Sequence, residues 1–237
     1  MKIKGWLSVV LFACFLALWL VFPQHASAKD ATGKYVVVID PAHGGKDEGV
    51  KLSGNVSEKD ITLALATLVK RYLEDSKNLV VRFTRMGDTD VALADRVGAA
   101  IKANADLFIS LHVNAGFEKG SAGYELYFPG FKGQEGAKGA PKGESAAIVR
   151  DMVKTKYLND SVRFAQILQK RLDPVFPRMD RGLREAPLLI LQNLSIPAVD
   201  LEVGFATNPG DRKRLQEESI QAAVAKAVAE SVKEFFQ

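Results

Sequence analysis

The chain has 237 residues, of which 47% are hydrophobic and 25% are charged, and its formal net charge is +4. This composition is typical of a globular protein and excludes collagen-like, low-complexity and disordered chains. Acidic and basic residues are interspersed, so the sequence provides no basic surface for nucleic acid.

Residues 1–28 have the pattern of a secretory signal peptide. Two lysines precede an apolar run over Leu7–Phe22, and the small residues 26–28 resemble a cleavage site. The alternative is an uncleaved membrane anchor, but the run is shorter than the ~20 apolar residues that a spanning helix needs. We therefore expect export across the cytoplasmic membrane, with 29–237 as the mature chain and membrane contact only through an uncleaved signal.

The first half of the mature chain alternates between predicted strands and helices. A β-branched run predicts a buried strand over Tyr35–Asp40, and Ser57 is placed to begin a helix with apolar residues at helical spacing. We then predict a strand over Leu79–Thr84, a helix over Val91–Ala103 and a strand over Asp106–His112. This order is typical of an α/β protein with parallel strands.

The second half contains an interruption and then resumes the alternation. Strands are predicted over Tyr124–Phe128, Leu188–Leu191 and Ala198–Val203, with one helix from Ser161 and a last helix ending near Phe235. Between them, residues 130–157 combine a glycine-punctuated loop with a short amphipathic stretch. The predicted fold is a single-domain α/β layer sandwich: a largely parallel twisted sheet flanked by helices, with 130–157 as an insertion.

Four side chains with metal-binding or acid–base chemistry lie near the ends of these strands. His43 follows the first strand, Glu58 begins the next helix, and His112 and Glu202 end later strands. We expect the four to converge, because the carboxyl ends of strands in an open α/β sheet meet at one edge. Two imidazoles and a carboxylate can hold Zn²⁺ and leave a position for water, while a nearby carboxylate accepts a proton.

Each of these residues also has a plainer explanation. His43 belongs to a loop in which Gly44 and Gly45 could bind an anion. Glu58 follows a helix-capping pattern, and His112 could simply end its strand with satisfied hydrogen bonds. Glu202 is the most informative residue, because a carboxylate inside an apolar strand requires a cation or a metal nearby.

Blocks of sequence from the first strand to the last resemble the zinc-dependent N-acetylmuramoyl-L-alanine amidases. In chain order they are Val38–Gly45, Ser57–Leu63, Thr84–Arg85 with Asp88, Leu93, Arg96 and Asn104, Ser110–Ala115, and Pro197–Asn208. The resemblance implies hydrolysis of the peptidoglycan amide between the lactyl group of N-acetylmuramic acid and L-alanine. It also implies that His43, Glu58 and His112 bind zinc and that Glu202 is the catalytic carboxylate.

Two features depart from the family's pattern. Ala42 stands where the family usually has glycine, and Lys46–Glu48 replaces a shorter turn. We expect a small change in loop geometry at Ala42. We expect neither feature to contact a metal ligand. By their position near the last strands, Arg184 and Asn193 are predicted to line the peptide groove.

The segment 130–157 is similar to an inserted element of periplasmic division amidases, in which a helix covers the zinc site until an activator protein removes it. The resemblance therefore implies an autoinhibitory lid, an activator protein and a periplasmic or cell-wall location. The alternative is a crossover that ends in a surface helix.

Three other functions remain open on the residues alone. The chain could be a peptidoglycan-binding module without activity, or another zinc amide hydrolase such as a peptidase or a deacetylase. It could also bind an anion or a nucleotide through Gly44 and Gly45. Chelation distinguishes the anion binder from a metal enzyme, because the anion binder needs no metal.

Overall fold

A six-stranded mixed sheet forms the centre of the molecule. The computed structural model describes residues 33–116, 120–130, 144–177 and 179–237. The predicted signal at 1–28 and most of the predicted loop therefore lie outside the described residues. The strands are β1 (Tyr35–Pro41), β2 (Lys51–Ser53), β3 (Val56–Ser57), β4 (Leu79–Phe83), β5 (Leu107–Asn114), β6 (Tyr124–Pro129), β7 (Asp180–Ala186) and β8 (Ala198–Phe205).

The helices alternate with the strands over most of the chain. They are α1 (Glu58–Leu73), α2 (Leu93–Lys102), α3 (Glu144–Leu172), α4 (Leu189–Gln192), α5 (Pro209–Leu215) and α6 (Glu218–Phe235). Among the described residues, no helix combines the length and the hydrophobicity that crossing a membrane requires.

The strand order in the sheet is β4-β1-β5-β8-β6-β7, and β2 and β3 form a separate small hairpin. Within the six-stranded sheet, neighbouring strands are parallel except for β6 and β8, which are antiparallel. This confirms the prediction of a largely parallel sheet flanked by helices.

The two faces of the sheet differ in what covers them. Helices α1, α3 and α6 cover one face along its whole length, with a core that includes Ile39, Ile109 and Leu201. Helices α2 and α4 cover only the amino-terminal half of the other face, where Val38 and Phe108 are buried.

The carboxyl-terminal half of that second face is polar. Ser110 pairs with Asp40 on one side and with Asp200 on the other, so these side chains share a face. In the next row, His112 pairs with Glu202 on β8, and Glu202 pairs with Glu125 on β6. The floor of the candidate site is therefore set by strand register.

The prediction of a strand over Leu188–Leu191 is wrong. The structure has the short helix α4 there, with Ile190 and Leu191 packed into the core. A four-residue apolar run fits a buried helix turn as well as a strand, and only packing distinguishes them. The strand in this region is instead β7, whose sequence DRGLREA contains no buried residue and therefore no apolar alternation.

Helix α3 is one continuous helix of 29 residues, where the sequence predicted a short stretch and a separate helix from Ser161. Its residues Tyr157 and Leu158 line a pocket with Pro129 and Ile196, at the amino-terminal end of β8. Tyr157, in the predicted insertion, therefore lies near the amino-terminal end of β8, whereas His112 pairs with β8 toward its carboxyl-terminal end. The lid at 130–157 stays a prediction.

Candidate metal centre

Two arginines hold the loop that follows β1. Arg85 donates from Nε to the carbonyl of Pro41 at 2.8 Å and from Nη2 to the carbonyl of Ala42 at 2.9 Å. Arg96 donates to the carbonyl of His43 at 2.7 Å and forms a buried ion pair with Asp40 at 2.8 Å. Both arginines are themselves buried, so the position of His43 is fixed by charge-assisted hydrogen bonds.

The backbone of this loop takes its unusual conformation at His43 and not at Ala42. His43 has φ of 61°, in the left-handed region, whereas Ala42 has no positive φ. Alanine is therefore accommodated without backbone strain at the position where the family usually has glycine. Gly49 is required for space, because a Cβ there would lie 2.5 Å from Glu58 Oε2 and 2.7 Å from His43 Cδ2.

Glu58 lies at the centre of the cluster. It begins α1, but Asp60 performs the capping, accepting hydrogen bonds from both the backbone N–H and the hydroxyl of Ser57 at 2.9 Å. The Glu58 carboxylate is thereby left for the site, where it accepts backbone N–H groups of Val50 at 3.0 Å and Val113 at 2.9 Å.

Both histidines point at the same oxygen of Glu58. His43 Nε2 lies 3.1 Å and His112 Nδ1 lies 3.0 Å from Glu58 Oε1. The two rings meet edge to face, with centroids 5.4 Å apart. One ligand atom from each residue lies within 4.8 Å of the others, so the three could hold a metal ion. The donor set of two imidazoles and one carboxylate suits a divalent transition metal.

Asp47 corrects one expectation from the sequence. Its Oδ2 lies 2.8 Å from His43 Nδ1, so the Lys46–Glu48 feature does contact a candidate ligand. A carboxylate at Nδ1 holds the proton there and leaves Nε2 as the nitrogen that faces Glu58.

The glycine pair does not form an anion site. The Gly44 N–H donates to the carbonyl of Asp47 at 2.8 Å, and the Gly45 N–H donates to Asp88 Oδ1 at 2.7 Å. Since both donors already have partners in the protein, the structure does not support the anion-binding alternative.

Glu202 and Asp200 face the cluster from β8. Glu202 is the register partner of His112, although β8 continues beyond it to Phe205. Among the described residues, the buried atoms Glu202 Oε2 and Asp200 Oδ1 have no hydrogen-bond partner. Sequence reasoning missed Asp200. A second acid two residues from Glu202 in an apolar strand was the available signal, since alternation places both on one face.

The electrostatics of the site follow from its excess of carboxylates. Burial opposes ionisation of Glu58, but hydrogen bonds from both histidines hold its pKa well below the usual range. Burial acts to lower the pKa of His112, but neighbouring carboxylates, led by Asp200, outweigh it and raise the pKa to about 10.

The β8 carboxyls shift in the opposite direction to Glu58. Burial raises the pKa of Asp200 to about 6. Burial, followed by the charge of Asp200, raises the pKa of Glu202 to about 8. Three carboxyls and two imidazoles around one space attract a divalent cation, and Glu202 is suited to accept and return a proton.

The structure separates the two predicted groove residues. Arg184 lies on β7 with Nη2 3.4 Å from Glu125 Oε1, and Glu125 is the register partner of Glu202. The Asn193 side chain donates to the carbonyl of Leu189 at 2.9 Å, which completes helix α4. Asn193 therefore performs a local capping role.

Comparison with known proteins gives concordant results. The sequence model of a family described as N-acetylmuramoyl-L-alanine amidase matches residues 37–234. The N-acetylmuramoyl-L-alanine amidase AmiA of Escherichia coli (strain K12) is 31% identical over 228 residues, which cover 88% of this chain and 78% of that protein. The uncharacterized protein YqiI of Bacillus subtilis (strain 168) is 32% identical over 233 residues, covering 98% of this chain and 97% of that protein.

A solved structure shares the fold. The catalytic domain of CwlV, an N-acetylmuramoyl-L-alanine amidase from Bacillus (Paenibacillus) polymyxa var. colistinus, superposes with a TM-score of 0.69 at 31% identity. The match covers 85% of this chain and 98% of that domain.

Proposed function

The chain belongs to the N-acetylmuramoyl-L-alanine amidase family, and we propose that it acts with a zinc ion held by His43, Glu58 and His112. The reaction is peptidoglycan hydrolysis at the amide between the lactyl group of N-acetylmuramic acid and L-alanine. The observation that carries the proposal is the meeting of both histidines on Glu58 Oε1, with Glu202 next to His112 in the sheet.

Zinc suits this ligand set and this reaction. Imidazole and carboxylate ligands favour zinc among metals that need no redox chemistry. When bound, zinc supplies a Lewis acid for the amide carbonyl and lowers the pKa of a bound water. Asp47 holds the proton on His43 Nδ1, so that Nε2 keeps a lone pair for the metal.

Glu202 is the proposed general base and general acid. Its carboxylate accepts a proton as water adds to the lactyl carbonyl, and it returns that proton to the alanine nitrogen as the C–N bond breaks. The products are a lactyl carboxylic acid and a stem peptide with a free amine. Burial, and after it the neighbouring Asp200 charge, favours the protonated form that the second step requires.

The orphaned oxygen of Glu202 argues against a module that only binds peptidoglycan. A buried carboxylate oxygen that has no partner among the described residues costs stability, and a binding surface gains nothing from it. A peptidase or deacetylase would use the same ligands, and family membership favours the amidase.

Location and regulation complete the proposal. The signal pattern at 1–28 supports export to the periplasm or cell wall, where peptidoglycan lies.

An activator protein that displaces a lid at 130–157 is part of this proposal. Deleting that segment is expected to raise activity, and unchanged or lower activity would refute the lid.

The test is digestion of purified peptidoglycan by residues 29–237 with added zinc, read by mass spectrometry. We expect free stem peptides that begin at L-alanine, with intact glycan strands, and no release after chelation. Release of shorter peptides would indicate a peptidase, and loss of acetyl groups alone would indicate a deacetylase.

A further inference from the structure

Strand β7 contains a bulge beside the candidate active site. The register with β6 pairs Tyr124 with Asp180 but Leu126 with Leu183, so β7 carries one additional residue. Gly182 lies within this interval, with φ of 89°. Side chains three positions apart on a regular strand point to opposite faces. The extra residue turns Arg181 and Arg184 to the same face, which is a known use of bulges near active sites.

Both arginines meet the buried carboxylate of Glu125. Arg181 Nε lies 2.8 Å and Arg184 Nη2 lies 3.4 Å from Glu125 Oε1, whose side chain is only 5% exposed. The other oxygen, Oε2, accepts hydrogen bonds from Asn114 Nδ2 at 3.0 Å and from the Tyr127 hydroxyl at 2.7 Å. Both oxygens of the Glu125 carboxylate therefore have partners in the protein, and Glu125 orients the side chains around it.

The charge of this group does not balance. One carboxylate faces two guanidinium groups, which leaves a surplus positive charge. Arg181 is the more committed partner, because it bonds Glu125 and its guanidinium also lies 5.2 Å from the centre of the Phe205 ring. The side chain of Arg184 is 48% exposed and makes the longer contact. Its remaining N–H donors are therefore oriented by a buried anchor and are accessible from outside.

The position of this surplus charge suggests its ligand. Glu125 on β6 is the register partner of Glu202 on β8, so the arginines of β7 lie one strand beyond Glu125, on the far side from the proposed proton carrier. In peptidoglycan, the lactyl carboxyl is tied up in the scissile amide, and free carboxylates belong to the stem peptide. A guanidinium binds a carboxylate through two parallel hydrogen bonds, which gives both affinity and orientation.

We propose that Arg184, positioned by Glu125 and Arg181, binds a carboxylate of the stem peptide and so makes the enzyme selective for acidic over amidated stems. The inference rests on the proposed function for the identity of the substrate. It assigns the peptide side of the substrate to the β6–β7 edge of the sheet.

The test uses two probes that differ in one group. Both are N-acetylmuramoyl-L-alanyl-γ-D-glutamyl methylamides, one with a free α-carboxylate and the other with an α-carboxamide. Binding is measured by calorimetry on zinc-loaded proteins, the wild type and each arginine variant, that also carry Glu202→Gln to suppress turnover. Turnover is measured by mass spectrometry on the same proteins with Glu202 intact. Arg184→Gln is compared with Arg171→Gln, which removes an arginine that pairs with Glu230 and Glu234 on the other face.

We expect the wild type and Arg171→Gln to bind the carboxylate probe about 10- to 100-fold more tightly, the range for a charged hydrogen bond. In Arg184→Gln the preference is expected to fall to about 1- to 3-fold, and Arg184→Lys is expected to restore part of it, because the charge returns without the planar fork. Equal binding of both probes by the wild type, or an unchanged preference in Arg184→Gln, would overturn the subsite.

The two proposals fail in different ways. If the wild type binds the carboxylate probe selectively but cleaves neither, the subsite is supported and the amidase proposal fails for these stems. If both probes are cleaved and bound equally, the amidase proposal stands and the subsite is refuted.

Discussion

The candidate site has a loop half, formed by His43, Asp47 and Glu58, and a β8 half, formed by Asp200 and Glu202. The two halves differ in how far their polar atoms are hydrogen-bonded. On the loop half, Glu58 accepts hydrogen bonds from two backbone N–H groups and contacts both histidines, and Asp47 holds His43 from behind. On the β8 half, Asp200 Oδ1 and Glu202 Oε2 have no partner within the described parts of the chain. The first half is satisfied and fixed, and the second is buried but left unsatisfied.

Under the proposed function, this difference separates the residues that hold the metal from the residue that moves the proton. A ligand set must be preorganised, because each hydrogen bond behind a ligand fixes its tautomer and direction. A proton carrier must instead change its charge, and a carboxylate locked by several donors would stay ionised. The opposite pKa shifts of Glu58 and Glu202 express this division.

Removing a ligand should have the largest effect. His112→Ala takes away one of the two imidazoles, so we expect stoichiometric zinc binding to be lost. Turnover should fall by more than the roughly 10²- to 10⁴-fold share of general acid–base catalysis. Metal content by atomic absorption, beside stem-peptide release, checks this. A His112→Ala protein that retains zinc and activity would remove this residue from the metal site.

Glu202→Gln should break the other half alone. We expect kcat to fall by about 10²- to 10⁴-fold while zinc content stays unchanged, because the substitution removes the proton carrier and keeps the side-chain volume. The surface variant Glu234→Gln, far from the site on α6, is the matched control. Loss of zinc in Glu202→Gln would show that the two halves are not separate.

Asp47→Asn probes the support behind the loop half. Without the carboxylate at Nδ1, His43 is less well oriented and less basic, and we expect zinc affinity to fall by about 10- to 100-fold. At saturating zinc, kcat should recover. Competition titration with a chromogenic chelator measures the affinity, with the exposed Asp75→Asn as control. Equal affinities in the two variants would contradict the proposed orienting role.

The smallest expected effect concerns stability against pH. In the metal-free folded protein, the pKa of Glu202 is raised to about 8 and the pKa of His112 to about 10. At pH values above the ordinary pKa values of these groups, the folded protein therefore binds more protons than the unfolded chain. Its unfolding free energy must therefore decrease as pH rises from about 6 to about 9. A loss of 1 kcal/mol lowers Tm by about 2–4 °C in a domain of this size.

Thermal unfolding of the protein, freed of metal by a chelator, across this pH range checks whether stability falls or rises with pH. The stability that protonated His112 provides is fully present below its ordinary pKa and is lost as pH rises toward 10. Glu202→Gln should reduce the slope, because the amide does not titrate. A Tm that rises with pH across this range would mean that the pKa values of Glu202 and His112 are not raised in the folded protein.

The sequence determined most of the fold and indicated the four residues that meet in the candidate site. Long patterned segments such as β1, α1 and α6 were predicted because their apolar residues recur at the period of the element. The errors occurred where that signal is absent or ambiguous. The apolar run Leu188–Leu191, which overlaps α4, fits either element, and the polar edge strand β7 lacks alternation because neither of its faces is buried.

Only the tertiary structure decided how the site is supported. Three contacts depend on the directions of side chains. Asp60 and not Glu58 caps α1, and Asp47 contacts His43. The bulge at Gly182 places two arginines against Glu125. A sequence states which groups are available along the chain. Register, bulges and backbone φ decide which of them meet, because contacts between distant residues form only when the strands pack into one sheet.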